Sequence, residues 1–503
     1  MTPFEDTICA PATSVGSGAV SIVRISGPDA LKLCDFLVRF KNGAALSSEG
    51  YTLKYGVIPG VDEVIVAIFR APHSYTGEDS VEISCHASRF IVERILELLC
   101  SHGARLAEPG EFTRRAFLNG KLDLAQAEAV ADLIAAGTEA SHKVAINHLK
   151  GQYSSKLREL RDRLVELASL MELELDFSEE DVEFADRGKL RSLLDAACLE
   201  ISRLADTFRL GNAIKNGVPV AIAGPVNAGK STLLNALLGE DRAIVSDIPG
   251  TTRDTVEETL TLNGILFRFI DTAGLRDSSD TVEKIGIGRS YSAIQKAEIV
   301  IAVLDALATL EDSCKAALEI VSGMSAGQTL VLLRNKVDAY DAIEPEKFPV
   351  KDSSYTVLDL KYPAFGTYNL DPDDFGRKIL EYLQQKSPSV VSELHLSDGL
   401  HVLDISARTG EGLDSLREML AASRQTVISD NNATLVTNAR HYQALRAAHE
   451  DLLRVRSGLD SGLTADLLAQ DLRSAISHLG SIFGDVTSED ILKNIFERFC
   501  IGK

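Results

Sequence analysis

Residues Gly224-Pro-Val-Asn-Ala-Gly-Lys-Ser-Thr232 contain two glycines that are separated by four residues and followed directly by Lys-Ser. This spacing is typical of a loop whose backbone N–H groups surround phosphate oxygens. The apolar, β-branched stretch Val218–Ala223 precedes the loop, and Thr232–Leu238 follows it with helical periodicity. A phosphate-binding loop needs this strand–loop–helix context, because the helix N-terminus attracts anions. The sequence therefore predicts a nucleotide-binding α/β domain here.

Two side chains of this loop carry predicted chemistry. Lys230 is expected to reach the β- and γ-phosphates, and the hydroxyl of Ser231 to ligate Mg²⁺. Asn227 has an amide oxygen that suits a monovalent cation beside the same phosphates, although such a residue alone is more often just a polar loop residue. The further predicted nucleotide contacts in the loop are Ala228, Gly229 and Thr232.

Two segments after the loop have the character of switches that sense the γ-phosphate. In Gly250-Thr-Thr-Arg-Asp254, Thr252 is expected to ligate Mg²⁺ only when a γ-phosphate is present. In Asp271-Thr-Ala-Gly274, Asp271 is placed to hold Mg²⁺ through water and the N–H of Gly274 to meet the γ-phosphate. The other predicted nucleotide contacts of these segments are Thr251, Thr272 and Ala273.

Two later segments predict recognition of guanine. The carboxylate of Asp338, in Asn335-Lys-Val-Asp338, can accept hydrogen bonds from N1–H and from the exocyclic amine of guanine. Adenine would leave this buried acceptor unpaired, so ATP is the weak alternative. Ser406-Ala-Arg408 can add a backbone N–H to guanine O6. The predicted contacts are Asn335, Lys336, Asp338, Ser406, Ala407 and Arg408.

The five segments, in this order, resemble the motif set of translation-factor-type GTPases, with one departure. Leu275 stands where many such enzymes have a glutamine that orients the attacking water. The sequence also offers no obvious internal arginine finger. Another group must therefore orient water and neutralise the developing charge.

Composition limits the class of protein. The chain has 503 residues, is 45% apolar and has a formal net charge of −21, so a general affinity for nucleic acid is not expected. Its seven cysteines are scattered without zinc-type spacing, which favours free thiols in a reducing cytosol. No membrane span, secretory signal or transit peptide is apparent, and we expect a cytoplasmic protein.

Four regions follow from the patterning. Residues 1–120 are α+β, 121–213 are helical, 214–424 alternate strands and helices, and 425–503 are helical again. The predicted fold class is multidomain α/β, with an α+β N-terminal domain, a discontinuous α-helical domain, and an inserted P-loop G domain with a mainly parallel sheet. Two separate helical domains are the alternative.

Further segments make the chain resemble one family over nearly its whole length, the MnmE (TrmE) family of tRNA-modification GTPases. The Cys-x-Gly-Lys terminus is the most specific of them. The segments that carry the resemblance are Asp6-Thr-Ile8, Tyr75-Thr-Gly-Glu-Asp79, Pro109–Phe117, Lys121–Ala129, Asp485–Asp490 and Phe499-Cys-Ile-Gly-Lys503.

The resemblance implies a K⁺-activated, Mg²⁺-dependent GTP hydrolase that works with tRNA and with an FAD-dependent protein of the MnmG (GidA) type. Together they would form 5-(carboxymethyl)aminomethyluridine at the wobble position. It implies a reduced tetrahydrofolate, in the 5,10-methylene or 5-formyl form, as the one-carbon source, with FAD only in the partner. It also implies a folate-binding N-terminal domain that dimerises, and a heterotetramer with the partner.

The resemblance also implies roles for individual residues. Glu283 would position the hydrolytic water through a bridging water, and Cys500 would serve the modification chemistry, although a packing role for Cys500 is nearly as plausible. The implied folate contacts are Arg24, Glu82, Lys121 and Lys503. The implied K⁺ ligands are Asn227, Ser246, Ile248 and Thr251.

Two classes of function remain as alternatives. A GTPase switch in ribosome assembly would need an RNA module such as a KH domain, yet the chain after residue 430 lacks a GxxG clamp. A membrane-remodelling GTPase would need a polybasic or apolar insertion element, which is not found.

Residues 339–400, between the two segments that predict guanine recognition, form a longer connection than G domains usually have. This connection has strand character at Tyr355–Tyr362 and helical periodicity at Phe375–Leu383.

Overall fold

The computed structural model divides the chain into two compact units. The first combines Met1–Ala136, His142–Phe208 and Ala433–Lys503, and the second combines Gly137–Ser141 and Arg209–Asn432. The boundaries at residues 120, 213 and 424 stay predictions. The residues described are 5–14, 18–176, 187–239, 258–270, 291–339, 371–394, 400–428, 435–461, 463–485, 489–497, 499 and 502.

The first unit begins with a seven-stranded sheet. Its strands are β1 (Thr7–Pro11), β2 (Val20–Ser26), β3 (Arg39–Phe40), β4 (Thr52–Ile58), β5 (Asp62–Phe69), β6 (Ser80–His86) and β7 (Ala104–Leu106). The spatial order is β3-β4-β5-β6-β2-β1-β7, and every pair is antiparallel except β1 with β7. Three helices accompany the sheet: α1 (Ala30–Leu37), α2 (Arg89–Ser101) and α3 (Glu111–Leu118).

Alternation of apolar residues explains which face of this sheet is covered. On β5, Val64, Val66 and Ile68 are buried, whereas Ile65 between them is exposed. The buried set packs with Val92, Ile95 and Leu99 of α2 in one core. A strand with period-two burial has one face on the core and one outside. The amphipathic pattern of Arg89–Ser101 predicts a helix, and α2 has the same bounds.

Five helices follow this sheet in the chain. They are α4 (Leu124–Ala135), α5 (Glu139–Leu149), α6 (Gln152–Asp176), α7 (Arg187–Asp206) and α8 (Phe208–Asn216). Asp123 begins α4 with a capping box, in which its side chain accepts from the Gln126 N–H and the Gln126 side chain accepts from the Asp123 N–H. This reciprocal pair satisfies two backbone donors that the helix cannot use itself.

The second unit contains a six-stranded sheet in the order β13-β12-β11-β8-β10-β9. The strands are β8 (Val218–Ala223), β9 (Glu258–Leu262), β10 (Ile265–Phe269), β11 (Ile299–Asp305), β12 (Thr329–Asn335) and β13 (His401–Ile405). All neighbours are parallel except β9, which is antiparallel to β10. Because parallel strands share one direction, the carboxyl ends of β8, β11, β12 and β13 lie at one edge, where open α/β sheets bind ligands.

Helices cover both faces of this second sheet. They are α9 (Lys230–Leu238), α10 (Leu310–Ser322), α11 (Pro372–Lys386), α12 (Pro388–Glu393) and α13 (Leu413–Ile428). Two separate apolar clusters form on the two faces, one with Leu237 and Leu416 and the other with Cys314 and Phe375. The helix predicted at Phe375–Leu383 is confirmed as part of α11, whereas the strand character of Tyr355–Tyr362 lies outside the described residues.

Three last helices, α14 (Ala439–Asp460), α15 (Ala465–Phe483) and α16 (Glu489–Phe496), return to the first unit. Leu157 and Leu164 of α6 share one buried core with Leu452 of α14 and Leu479 of α15. Helices from both sides of the nucleotide-binding part therefore form one discontinuous helical domain, as the sequence predicted, rather than two. No helix in the described part of the chain is long and apolar enough to span a membrane.

A buried ion pair joins the two halves of this helical domain. Glu128 of α4 lies 2.7 Å from Nε2 of His441 and 3.0 Å from Nε of Arg440, both on α14. Burial by itself would raise the pKa of Glu128, yet His441 and Arg440 lower it to about 2. The ring of Tyr153 stacks on both His148 and His441, at 4.7 and 5.5 Å between centroids.

We expect Glu128→Gln to lower the free energy of unfolding by about 3 kcal/mol at neutral pH, because it removes the buried carboxylate that faces Arg440 and His441. The folded pKa lies below the ordinary value of 4.5. The stabilisation is therefore complete above about pH 5 and disappears as the pH falls toward the folded pKa. Chemical denaturation followed by circular dichroism, from pH 7 to pH 3, measures both effects.

Glu159→Gln is the matched control, since Glu159 is 65% exposed in its pair with Arg163. It should change stability by no more than about 0.5 kcal/mol. Equal losses in the two variants, or a Glu128→Gln deficit that persists undiminished at pH 3, would contradict the electrostatic role.

Candidate active site

The loop between β8 and α9 has the backbone that the glycine spacing predicted. Gly224 has φ +153°, and a Cβ there would lie 2.2 Å from the carbonyl oxygen of Val303. Gly229 has φ +97°, and a Cβ there would lie 2.1 Å from the amide nitrogen of Asn335. Both positions therefore exclude any larger residue. Asn227 takes a left-handed conformation, with φ 63°, at the exposed turn of the loop.

Lys230, the first residue of α9, folds back over this loop. Its Nζ donates to the carbonyl oxygens of Gly224 at 2.9 Å and of Pro225 at 2.7 Å. Burial lowers the pKa of Lys230, because the half-buried ammonium group loses hydration. The two carbonyl oxygens compensate only part of the hydration that this ammonium group has lost. A phosphate anion bound at the start of α9 would compensate the rest.

Asn335 connects the three nucleotide-binding segments that the structure describes. Its side-chain amide donates to the carbonyl oxygen of Ala228 at 2.8 Å, and its side-chain oxygen accepts from the N–H of Ala407 at 2.9 Å. Asn335 is buried, as is Ala228. One side chain thus joins the phosphate loop, the end of β12 and the loop after β13.

The carboxylate of Asp338, which is predicted to read guanine, is also positioned by a neighbouring loop. The hydroxyl of Ser406 donates to Oδ1 of Asp338 at 2.7 Å and accepts from the N–H of Thr409 at 3.1 Å. Lys336, with φ 73°, donates from Nζ to Oδ2 of Asp305 at 2.6 Å. Asp305 was not among the predicted site residues, although a carboxylate directly after the buried strand β11 was a usable signal.

The predicted nucleotide residues divide into two groups. Those in the described residues meet at the carboxyl edge of the second sheet: Asn227, Ala228, Gly229, Lys230, Ser231, Thr232, Asn335, Lys336, Asp338, Ser406, Ala407 and Arg408. The others lie outside the described residues: Ser246, Ile248, Thr251, Thr252, Asp271, Thr272, Ala273, Gly274 and Glu283. Their assignments stay predictions.

A second group of predicted residues lies on the N-terminal sheet. Arg24 of β2 is directly opposite Glu82 of β6, and its Nε and Nη2 lie 2.9 and 2.8 Å from Oε1 of Glu82. The guanidinium carbon of Arg24 is 5.4 Å from the ring centre of Tyr75 and 5.5 Å from that of Phe112. A charged pair flanked by two aromatic rings suits a planar, polar heterocycle with an anionic tail.

The segment Tyr75–Asp79 brings Lys121 to the same neighbourhood. Gly77 has φ +81°, and a Cβ there would lie 3.3 Å from Cγ of Lys121. Nζ of Lys121 donates to the carbonyl oxygen of Pro72 at 3.0 Å. Tyr75, which neighbours Gly77 closely in sequence, contacts Arg24, so one loop carries contacts to both predicted basic residues. Tyr75 and Phe112 were not among the residues predicted for this site.

The C-terminal segment reaches the same sheet. The carbonyl oxygen of Gly502 accepts from Nη1 of Arg24 at 3.4 Å. Gly502 has φ +98°, and a Cβ there would lie 2.1 Å from the carbonyl oxygen of Pro11. Gly110 lies against Phe496 and Phe499 in the same close manner. Cys500 and Lys503 themselves lie outside the described residues.

A basic stretch on α6 proves to be neutralised by acidic neighbours. Lys156 and Arg163 approach Glu200 at 3.7 and 3.5 Å. Arg158 pairs with Asp123 at 2.9 Å, and Arg161 with Asp485 at 3.2 Å. This face therefore has the character of a solvated, ion-paired helix rather than of a phosphate-binding surface.

Sequence profiles of known families match both parts of the first unit. The profile described as "MnmE helical domain" matches residues 124–500, and the one described as "GTP-binding protein TrmE N-terminus" matches residues 7–121. The helical-domain match spans most of the chain, including the inserted nucleotide-binding unit. The chain belongs to the MnmE family of tRNA-modification GTPases.

Relatives of the MnmE family are similar over the full length. A protein named tRNA modification GTPase MnmE from Parabacteroides distasonis is 45% identical over 99% of this chain and 100% of its own length. Those of Porphyromonas gingivalis and Cytophaga hutchinsonii are 46% and 43% identical, over 98% and 99% of their lengths. Membership confirms the predicted GTPase, and the α/β fold agrees with the predicted fold class.

We expect Asp338→Asn to move the nucleotide preference from guanine to xanthine, because an amide donates where the exocyclic amine of guanine needs an acceptor. Affinity for GDP should fall at least about a hundredfold, while affinity for xanthosine diphosphate rises. Fluorescence titration with labelled nucleotides measures both.

Asp373→Asn, at the exposed start of α11, is the control and should leave both affinities unchanged. Retained preference for GDP in Asp338→Asn would refute the assigned role of Asp338.

Proposed function

We propose that this chain is a K⁺-activated, Mg²⁺-dependent GTP hydrolase that acts with an FAD-dependent protein of the MnmG (GidA) type. The product would be 5-(carboxymethyl)aminomethyluridine at the wobble position of tRNA. Family membership supports the GTPase and the involvement of tRNA. The observation that carries the finer proposal is the Arg24–Glu82 pair with Tyr75, Phe112 and Gly502 around it. A GTPase switch in ribosome assembly has no use for such a site.

The chemistry of that N-terminal group fits a reduced tetrahydrofolate. Glu82 offers a carboxylate to the donors of a pterin ring, and Arg24 offers donors to a glutamate tail. Lys121, on the loop that Gly77 contacts, adds a further cation, and Lys503 is assigned to the same ligand. The folate, in its 5,10-methylene or 5-formyl form, would supply the one-carbon unit, and FAD would be held by the partner protein. Cys500 is assigned to this chemistry.

The phosphate loop supports the hydrolytic part of the proposal. Lys230 would bind the β- and γ-phosphates, and Ser231 with Thr252 would ligate Mg²⁺. The left-handed backbone at Asn227 presents its exposed side chain at the turn of the loop, which suits a cation ligand. Potassium held by Asn227, Ser246, Ile248 and Thr251 would supply the positive charge that an arginine finger supplies elsewhere. Glu283 would position the attacking water in place of the missing glutamine.

The outer face of the N-terminal sheet supports a homodimer. Leu53 and Tyr55 of β4 and Ile65 of β5 are 71%, 47% and 52% exposed, and Tyr55 lies directly opposite Ile65. Tyr51, just before β4, is 74% exposed. Contiguous apolar surface of this kind commonly marks a protein–protein interface. Two such dimer subunits with two partner proteins would form the heterotetramer.

The free thiols support a cytoplasmic location. In the described part of the chain, the cysteines with free thiols are Cys9, Cys34, Cys85, Cys100, Cys198 and Cys314. Proteins that keep several buried thiols reduced are typical of a reducing compartment. A cytoplasmic location also agrees with a substrate of the tRNA class.

We expect cells that lack this protein to lose 5-(carboxymethyl)aminomethyluridine from their tRNA, as measured by nucleoside analysis of digested tRNA. Wild-type protein should restore it, whereas Arg24→Ala should not, because the anchoring cation of the N-terminal site is gone. Arg89→Ala, which removes an 82% exposed arginine, is the control and should restore the modification. Unchanged wobble uridines together with abnormal ribosomal subunits would favour the ribosome-assembly alternative.

We expect GTP hydrolysis to slow at least about tenfold when K⁺ is replaced by Na⁺, because the smaller ion does not fit ligands set for potassium while the transition-state charge still needs neutralisation. Asn227→Ala should remove the difference between the two salts, and Asn216→Ala, at an exposed position of α8, should keep it. Initial rates of phosphate release measure this. Equal wild-type rates in both salts would rule out potassium activation.

A further inference from the structure

A buried arginine stands directly before the guanine-reading segment. Arg334 of β12 is 1% exposed in its side chain, and its Nε and Nη2 lie 2.5 Å from Oδ1 and Oδ2 of Asp404 on β13. The two residues are also direct partners in the parallel register of these strands. A bidentate guanidinium–carboxylate pair fixes both the distance and the relative orientation of its partners.

Each member of this pair is followed closely by residues of the guanine site. Asn335 comes next after Arg334 and holds the N–H of Ala407, while Asp338 follows three residues later. Ser406 comes two residues after Asp404, and its hydroxyl holds Asp338. The loop that would read guanine O6 and the carboxylate that would read its amine edge therefore start from two strands joined by Arg334 and Asp404.

Helix α11 packs against one side of this ion pair. Phe375 is fully buried, and its ring centre lies 5.0 Å from the guanidinium carbon of Arg334. The neighbouring Gly376 packs against Val402 of β13, where an added Cβ would lie 2.9 Å from the valine methyl group. The aromatic ring covers the guanidinium side of the pair, while the Asp404 side chain stays 33% exposed.

Hydrophobic packing alone would not fix the separation of the two loops that follow β12 and β13. Two parallel strands paired by slanted backbone hydrogen bonds tolerate small shifts at their ends, where the ladder stops. The backbone ladder of β12 and β13 ends at Asn335 and Ile405. The Arg334–Asp404 pair lies one step before this end, where it limits the motion of both following loops.

We propose that Arg334 and Asp404 are positioning residues for guanine recognition. Their bidentate pair sets the separation between Asp338 and the Ser406–Ala407 loop, and Phe375 of α11 shields it. The inference rests on the proposed guanine site and adds two residues to it. It also gives the helix within residues 339–400 a part in nucleotide selection.

Asp404→Asn in the full-length chain tests this role, because it keeps the shape of the side chain and removes its charge. Affinity for GDP should fall roughly tenfold, the loss expected for one charge-assisted hydrogen bond. KM for GTP should rise by a similar factor while kcat stays within about twofold, since the phosphate-binding residues are untouched. Affinity for ADP, which only the phosphate loop holds, should not change.

Two further variants complete the experiment. Arg334→Lys keeps the buried positive charge but lacks the bidentate fork, so it should shift affinity for GDP in the same direction even if Asp404→Asn folds poorly. Asp414→Asn removes the charge of Asp414, whose side chain is 91% exposed in its pair with Arg417 of α13, and is the matched control, with no expected change. Labelled GDP, with unlabelled ADP as competitor, measures the affinities.

An unchanged ratio of GDP to ADP affinity in both Arg334→Lys and Asp404→Asn would overturn the proposal. Equal losses for GDP and ADP would overturn it as well, because they indicate a general disturbance of the fold. Asp338→Asn distinguishes this failure from a failure of the guanine site itself. If Asp338→Asn gains xanthine preference while the pair variants are silent, only the positioning role is wrong.

Discussion

The side-chain amide of Asn335 is the interaction on which the nucleotide site depends. It donates to Ala228 in the phosphate loop and accepts from Ala407 after β13, so three loops from different strands share one rigid joint. The close fit at Gly229 places this amide against the loop backbone and leaves no room for a side chain. A buried amide with both ends satisfied stabilises one geometry, because any displacement would leave a polar group unpaired in the interior. The protein's own hydrogen bonds therefore hold these three loops together.

The local elements of the nucleotide-binding unit were predictable because they carry strong, short-range signals. Strand β8 has the predicted bounds of Val218–Ala223, and glycines at positions 224 and 229 have the required backbone angles.

Strands β1 and β4 of the N-terminal sheet were not predicted. Strand β4 alternates threonine, lysine and glycine with apolar residues, and its exposed face is as apolar as its buried one. Period-two hydrophobicity would place Leu53, Tyr55 and Val57 of this strand in the core, whereas the structure leaves all three exposed.

Contacts between segments that are far apart in the chain could not be predicted from the sequence. Arg24 and Glu82 were each predicted as a folate contact, and the structure adds that they form an ion pair with one another across β2 and β6. The register of two strands 58 residues apart decides this, and no local pattern reports it. The same holds for Arg334 with Asp404, and for Glu128 with His441. Ion pairs of this kind depend on tertiary geometry, so a single sequence identifies the charged residues but not their partners.

The discontinuous helical core has a consequence for biosynthesis. Leucines of α6 and α7 share their buried core with α14 and α15, which follow more than two hundred residues later in the chain. At roughly 5–20 residues per second on the ribosome, this delay is on the order of ten seconds or more. During that time the nucleotide-binding unit can complete its own core. The earlier helices have meanwhile left the ribosome, with their apolar faces still uncovered. Apolar surface that stays uncovered on a nascent chain is prone to aggregation, so the order of these segments in the chain determines how long that exposure lasts.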